Sequence, residues 1–279
     1  MGITTVKKFL LLIIISLLER THGAHSRRRS VIRPVQRGSK YDREITTFST
    51  DGRLLQVEYG IEAADRGDTV VAVVINQTLA ALKVSSSEKV HRIDAHILLA
   101  TTGLNGDSRY LAEYLRHSCQ RHRLSYGESP TVKEVATMAS KLQHDLTKRP
   151  GLRPLGCTAF VLGACGGEIQ LYQTNPGGIL EQYTFCAGGA KKLTMVNKLT
   201  EFFSKKDVVV DSEKNIASIL SLLHDDDEED DEGSEKKKKG DLWILRTKPS
   251  GGPLQLSCIK SFDPNIIREG LFDISFLDS

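Results

Sequence analysis

Short apolar strands in consecutive pairs, set apart by two amphipathic helices, constrain the fold of this 279-residue chain more than any other feature. Residues 68–76 read Asp-Thr-Val-Val-Ala-Val-Val-Ile-Asn, a β-branched run that is short and almost wholly apolar. That composition predicts a buried strand, with residues 79–84 as its hairpin partner across 76–78. A third strand is predicted over 96–101, ending at Gly103. The first helix is predicted over 107–124, with Leu111, Tyr114, Leu115, Ser118 and His122 along one face. The second starts at the capping box Thr131-Val-Lys-Glu134, just after Pro130. It carries Val132, Val135, Ala136, Ala139, Leu142 and Leu146 on its inner side and stops at Pro150-Gly151. Strands return at 157–163 and 168–173 across a turn at 164–167. After a second turn at 175–178, another strand is predicted over 179–186. Helices follow at 190–203 and 211–223, the latter with Ile216, Ile219, Leu220 and Leu223 on one face. A last hairpin pairs 242–246 with 254–259. Antiparallel strand pairs alternating with helices predict an α+β domain of two sheets with helices outside. Hydrophobic content of 39% suffices for its core.

Ahead of this domain, residues 41–67 run from an extended polar start through a turn into a helix. Thr50-Asp51-Gly52 is turn chemistry. Residues 53–65 then place Leu54, Val57, Gly60/Ile61 and Ala64 at helical spacing, with Glu58, Glu62 and Asp65 turned away. Gly67 is a stop signal.

Charge is segregated along the chain. Residues 26–43 hold seven Lys/Arg against one Asp, and residues 225–232 are eight consecutive acids, followed soon by Lys236–Lys239. The net charge of +3 therefore says little about partners. Residues 225–239 cannot bury apolar area, which predicts a solvated, disordered loop. The three arginines at 27–29 have no aromatic neighbours to make a nucleic-acid site. The five cysteines (119, 157, 165, 186, 258) form no Cys-x-x-Cys pair or zinc spacing. They read mostly as buried small hydrophobes in a reducing compartment, and no metal or cofactor is implied. No P-loop, Gly-x-Ser-x-Gly elbow or histidine pair at i, i+4 is present.

Residues 1–25 have the layout of a signal peptide. Lys7-Lys8 precedes an apolar run over 9–18, and small residues follow. The run is short for a membrane span, so no stable membrane insertion is expected. The acid-poor basic arm at 26–40 extends the pattern toward bipartite organellar targeting. An incorrect start codon or an unprocessed tail on a cytosolic protein is the other reading.

The string Tyr41-Asp42-Arg43, Phe48-Ser49, Asp51-Gly52-Arg53-Leu54 and Gln56-Val57-Glu58-Tyr59 resembles the N-terminal signature of α-type subunits of the 20S proteasome. The likeness extends over 41–260. It includes Ser87-Glu88-Lys89-Val90, Gly103-Leu104 followed by Asp107-Ser108-Arg109, Gln120-x-His122-x-Leu124, Arg153-Pro154-Leu155-Gly156 and Leu171-Tyr172-Gln173-Thr174-Asn175-Pro176-Gly177. It implies the four-layer αββα sandwich of the proteasome and N-terminal nucleophile hydrolases, preceded by the α-type helix, with 261–279 as a tail. It also implies a non-catalytic structural and gating subunit, supporting ATP- and ubiquitin-dependent protein degradation in cytoplasm and nucleus. The implied partners are other α subunits in a heteroheptameric ring, β-ring subunits and an activator or regulatory particle. Tyr41, Asp42 and Tyr59 match residues that order the gate, where a Tyr hydroxyl beside a carboxylate fixes one conformation. Lys89 matches the lysine that receives an activator's C-terminal carboxylate. On residue chemistry alone, Lys89 reads as a solvated surface lysine.

The chain departs from the family at three places. Thr50 stands where Pro is usual, Gly60 where Ala is usual, and the stretch from Gly67 to Lys89 is short by about ten residues. Related β subunits use an N-terminal Thr freed by cleavage after Gly. The corresponding Thr69 follows Asp68, and the positions of its supporting Asp and Lys hold Ser85 and Thr101. An active threonine hydrolase and an orphan α-like organellar protein are the two competing readings.

Overall fold

In a computed structural model, the structure describes residues 44–204, 218–219, 221–223, 240–247 and 255–259. All fall in one unit, residues 39–279. The targeting segment, the basic arm, the charged loop at 225–239 and the tail lie outside the described residues, as do Ile216, Leu220, Tyr41 and Asp42.

The order of elements begins with helix α1 (Leu55–Asp65), strands β1 (Val70–Asn76) and β2 (Leu79–Val84), and a 3-10 turn (Ser87–Lys89). Strands β3 (Val90–Asp94) and β4 (Ile97–Gly103) precede helices α2 (Asn105–Tyr126) and α3 (Val132–Lys148). Strands β5 (Cys157–Cys165), β6 (Glu168–Thr174), β7 (Leu180–Tyr183) and β8 (Phe185–Gly188) come next. Helix α4 (Lys192–Ser204) and the hairpin β9 (Asp241–Arg246) and β10 (Gln255–Ile259) follow. Residues 218–219 and 221–223 are also helical. The strands make two antiparallel sheets, β10-β9-β2-β1-β8 and β3-β4-β5-β6-β7.

The burial pattern gives the layers. In β1, Val70 and Ala72 face the other sheet beside Leu98, Phe160 and Leu171. Val71, Val73 and Ile75 point the opposite way, into a cluster with Met195 and Leu199 of α4 and with Ile219 and Leu223. β1 is thus covered on both faces, which is why it shows no polar alternation. A third cluster joins Leu99 and Val161 to Leu111 and Leu115 of α2 and Val135 and Ala139 of α3. Helices, sheet, sheet and helices form the four layers expected. The capping box is made in full, with Glu134 accepting from the Thr131 N–H at 2.7 Å and Thr131 Oγ1 accepting from the Glu134 N–H at 3.3 Å.

Four expectations are corrected. The strand over 179–186 is two strands in different sheets: β7 pairs with β6, and β8 pairs with β1. Exposed Glu181, Gln182 and Tyr183 sit at a sheet edge, whereas Cys186, Ala187 and Gly188 are buried, so the chain changes sheets at Thr184. Strand β3 is an addition to the expected set; its burial pattern is weak and only Ile93 is buried. On α2 the inward face is Asp107, Ser108, Leu111, Ala112, Leu115 and Cys119, without Ser118 and His122. On α3, Gln143 and Thr147 are buried where Leu142 and Leu146 are only partly so. The Gln143 amide N–H donates to the Cys157 carbonyl at 3.0 Å, while its Oε1 is buried without a partner among the described residues.

The β1–β2 hairpin is complete in register from Val70↔Val84 to Asn76↔Leu79. Only Ser85 and Ser86 connect β2 to the 3-10 turn in the other sheet's path. The hairpin is thus fully paired, and the connection after it is two residues long. The turn at Thr50 closes without proline, the Gly52 N–H donating to the Ser49 carbonyl at 2.9 Å.

The ends of α1, β4 and the loop before β5 meet at van der Waals limits. Gly103 has φ +96°, and a Cβ there would lie 2.1 Å from the Gly156 carbonyl oxygen. A Cβ on Gly67 would lie 2.3 Å from the Gly103 nitrogen. Gly103→Ala is expected to cost about 3 kcal/mol or more, from backbone strain and overpacking together. Gly151→Ala, at φ +82° in open space, is expected to cost about 1–2 kcal/mol. Urea unfolding of the two variants measures the difference.

Candidate functional site

The junction where α1 meets the strand ends brings together motifs far apart in sequence. Asp107, in the first turn of α2, receives a bidentate pair from the Arg153 guanidinium at 2.7 and 2.7 Å. The same carboxylate accepts from the Gly156 N–H at 2.8 Å. The Gly-Leu-x-x-Asp and Arg-Pro-x-Gly stretches are thus two halves of one clamp. Asp107 is 8% exposed. Burial pushes its carboxyl pKa up, but the hydrogen bonds from Arg153 and Gly156 and the Arg153 charge outweigh that, holding it below the usual value. The sequence marks both motifs without joining them; their opposite charges are the only signal of the pairing.

Lys89 closes the 3-10 turn and is 5% exposed. Its Nζ donates to the Gly103 carbonyl at 2.6 Å. The solvated-lysine reading is therefore corrected: the ammonium is drawn into the junction. Nearby, burial first, then the charges of Arg116, Arg109 and Lys89, push the His91 imidazole pKa down. Tyr59 lies on α1 and is 50% exposed. The structure does not bring Tyr59 and Lys89 into one contact, and the Tyr41 and Asp42 that would complete the gate cluster lie outside the described residues. Gly60 has a local reason to lack a side chain, since a Cβ would lie 3.0 Å from Pro154 Cβ and 3.4 Å from Pro176 Cβ.

Thr69 borders a cavity of about 270 Å³ lined also by Arg66, Asp68, Lys83, Ser85 and Lys191. Its Oγ1 accepts from the Lys191 N–H at 3.2 Å. The chain just before it is tied down. Thr102 Oγ1 donates to the Asp68 carbonyl at 2.7 Å, and the Ala190 N–H donates to the Gly67 carbonyl at 3.0 Å. The nitrogen of Thr69 is a peptide nitrogen joined through Asp68 and Gly67 to α1, so no free amine is there to act as base. Thr101, the residue that the spacing expects where β subunits carry a lysine, is buried and donates to the Lys89 carbonyl at 3.4 Å. Lysines 83 and 191 reach the cavity from β2 and the β8–α4 loop, positions that no motif in the sequence singles out.

The cysteines are mainly packing groups. Cys119, Cys157 and Cys186 are buried, and burial pushes the first two thiols up to about 11 and about 12. At neutral pH neither is a nucleophile. Among the described residues, no helix is long and apolar enough to cross a membrane.

Comparison with known proteins agrees with this geometry. Residues 63–235 match the proteasome-subunit family, and residues 41–63 match the N-terminal signature of the proteasome's A-type subunits. The chain is similar to the proteasome alpha subunit of Methanocaldococcus jannaschii, with 34% identity over 189 residues covering 64% of this chain and 72% of that protein. It is also similar to the protein of that name from Archaeoglobus fulgidus, at 38% over 177 residues, 60% of this chain and 70% of the relative. For Methanoregula boonei the figures are 40% over 153 residues, 51% and 64%.

Asp107→Asn is expected to destabilise the fold by about 1–3 kcal/mol at pH 7, since it breaks a charge-assisted pair beside a buried N–H. The Asp107 pKa is lowered on folding, so its contribution is full above the unfolded value of about 4 and is lost as pH falls through the native one. Urea midpoints of wild type and variant should converge on acidification. A constant gap down to pH 2 would contradict this assignment.

Proposed function

This chain belongs to the proteasome family and is one of its α-type, non-catalytic subunits; from that premise we propose that it is a structural and gating member of the outer ring of a 20S core. The observation that carries the proposal is α1 itself. It is continuous with β1 and locked at Gly67 against Gly103, so the segment that would have to leave a catalytic subunit is here a built part of the fold. In the proposed assembly the subunit stands in a heteroheptameric α ring on a β ring. It serves ATP- and ubiquitin-dependent degradation by admitting unfolded chains through the pore. Tyr41, Asp42 and Tyr59 order the gate.

Lys89 receives the C-terminal carboxylate of an activator. Support comes from its position: the ammonium is held by one neutral carbonyl, with Arg109 and Arg116 near enough to affect His91. A carbonyl leaves the positive charge uncompensated, which suits an incoming anion. We place the particle in cytoplasm and nucleus. The apolar run at 9–18 favours a second reading, an α-type subunit in an organelle.

A C-terminally tagged copy purified from its own cell is expected to bring down other α subunits and β subunits. Recovery alone would overturn the ring reading. An intact N-terminus supports the cytosolic address; cleavage near residue 25 supports the organellar one. Lys89→Ala is expected to weaken activator-peptide stimulation of the particle about tenfold or more while leaving assembly intact, as loss of one charge-assisted contact does. Peptide hydrolysis titrated with activator peptide, read as the half-maximal concentration, measures it.

A further inference from the structure

The seam between helix α2 and the turn that ends in Lys89 gathers four basic groups: Lys89, His91, Arg109 and Arg116. His91 lies on β3 directly opposite Leu99 of β4, so the two share a sheet face. Leu99 packs with Leu111 and Leu115, which makes this the face that α2 covers. The His91 Nε2 is buried there with no hydrogen-bond partner among the described residues. A buried polar atom left without a partner calls for an explanation.

The three cations that act on the ring are engaged differently. Arg116 Nε donates to the Arg92 carbonyl at 2.9 Å, which ties α2 to β3. Lys89 spends one of an ammonium's three donors on the Gly103 carbonyl. Arg109, exposed in the second turn of α2, makes no hydrogen bond or ion pair among the described residues. The other charged groups of the surrounding elements are turned elsewhere. Asp107 is held by Arg153, and Asp94 by Arg123. Arg92 donates to the Asp94 and Ala95 carbonyls. Glu113 lines a separate recess with Tyr110 and His117, and Glu88 is exposed on the turn. None of these carboxylates is among the charges that shift the ring.

We propose that Arg109 is a second binding residue of the anion site at Lys89 and that His91 makes the site proton-linked: an activator's carboxylate binds on Lys89 and Arg109, and His91 takes up a proton with it. The inference rests on the reading of Lys89 as an activator site. In the free subunit, burial and the three cations disfavour the protonated ring. A carboxylate on Lys89 and Arg109 offsets two of those cations, so protonation becomes easier. By reciprocity, a protonated ring raises the affinity for the carboxylate. Binding therefore tightens as pH falls from neutrality toward the lowered pKa of the free ring.

The test is binding of a rhodamine-labelled peptide, with the C-terminal sequence of the cell's own activator, to the purified native particle. Anisotropy is read near neutral pH and in mild acid, with the same peptide ending in an amide as control. Particles carrying a variant of this chain isolate its site from those of the other subunits. Affinity at this site is expected to rise severalfold on acidification, and His91→Gln should abolish the gain. Arg109→Gln, on the surface, should weaken binding severalfold, as loss of a charge-assisted contact does. An equal acid gain in wild type and His91→Gln, or full affinity in Arg109→Gln, would overturn the inference while a loss in Lys89→Ala keeps the activator reading. Full affinity in Lys89→Ala would overturn both. Calorimetry in two buffers of different ionisation heat needs no change at His91. Wild-type particles should take up more protons on binding the peptide than Lys89→Ala particles do, and equal uptake would also overturn the inference.

Discussion

Contact between backbones without side chains, at Gly67, Gly103 and Gly156, is the constraint on which the rest of this structure depends. There the end of α1, the end of β4 and the approach to β5 come closer than any Cβ would permit. At Gly67 and Gly103 an added methyl group would meet backbone, which has no flexible element to absorb it, whereas at Gly156 it would meet the Leu104 side chain. The polar groups around it follow from the same closeness. Gly103 offers its carbonyl to Lys89, Gly156 gives its carbonyl to the Leu104 N–H, and its own N–H goes to Asp107. Arg153 then neutralises Asp107 from the outer side, where its side chain is 62% exposed. One junction thus positions α1, the lysine and the start of α2 together.

Much of the layered fold is legible because burial on both faces writes itself as an uninterrupted apolar run. β1 and β5 show this best, and the capping box at Thr131 fixes the start of α3 in the same direct way. The misreadings share a physical cause. Residues 179–186 carry strand composition throughout, and nothing in β propensity says which sheet a residue joins. The change at Thr184 is decided by which partner lies alongside, β6 or β1. β3 hides because a sheet-edge strand with one buried residue has little periodicity to display. On α2, Asp107 points inward because the clamp satisfies it, and Ser108 because its hydroxyl donates to the Leu104 carbonyl, so a polar pair occupies what a hydrophobic pattern would assign to solvent.

The site is legible in parts and not as a whole. Lys89 stands out by likeness, whereas its burial depends on a carbonyl fourteen residues on, which no local pattern reveals. The Asp107–Arg153 pair spans 46 residues. Thr69 shows the reverse: it sits at the strand start where a nucleophile would be expected, yet its nitrogen is spent in the peptide bond to Asp68. Lysines 83 and 191 come from other elements, so the basic lining of its cavity is a property of the fold and not of any segment.

The two-residue crossing at Ser85 and Ser86 has a mechanical meaning. With Thr184 it makes a second short stitch between the sheets, and both stitches are too short to take up slack. Packed layers joined by long loops can slide past one another by small shears. Layers stitched this tightly cannot, so a displacement imposed on the 3-10 turn that follows Ser86 is passed to both sheets at once. A load on that turn is thereby shared between the two sheets at their shortest connection.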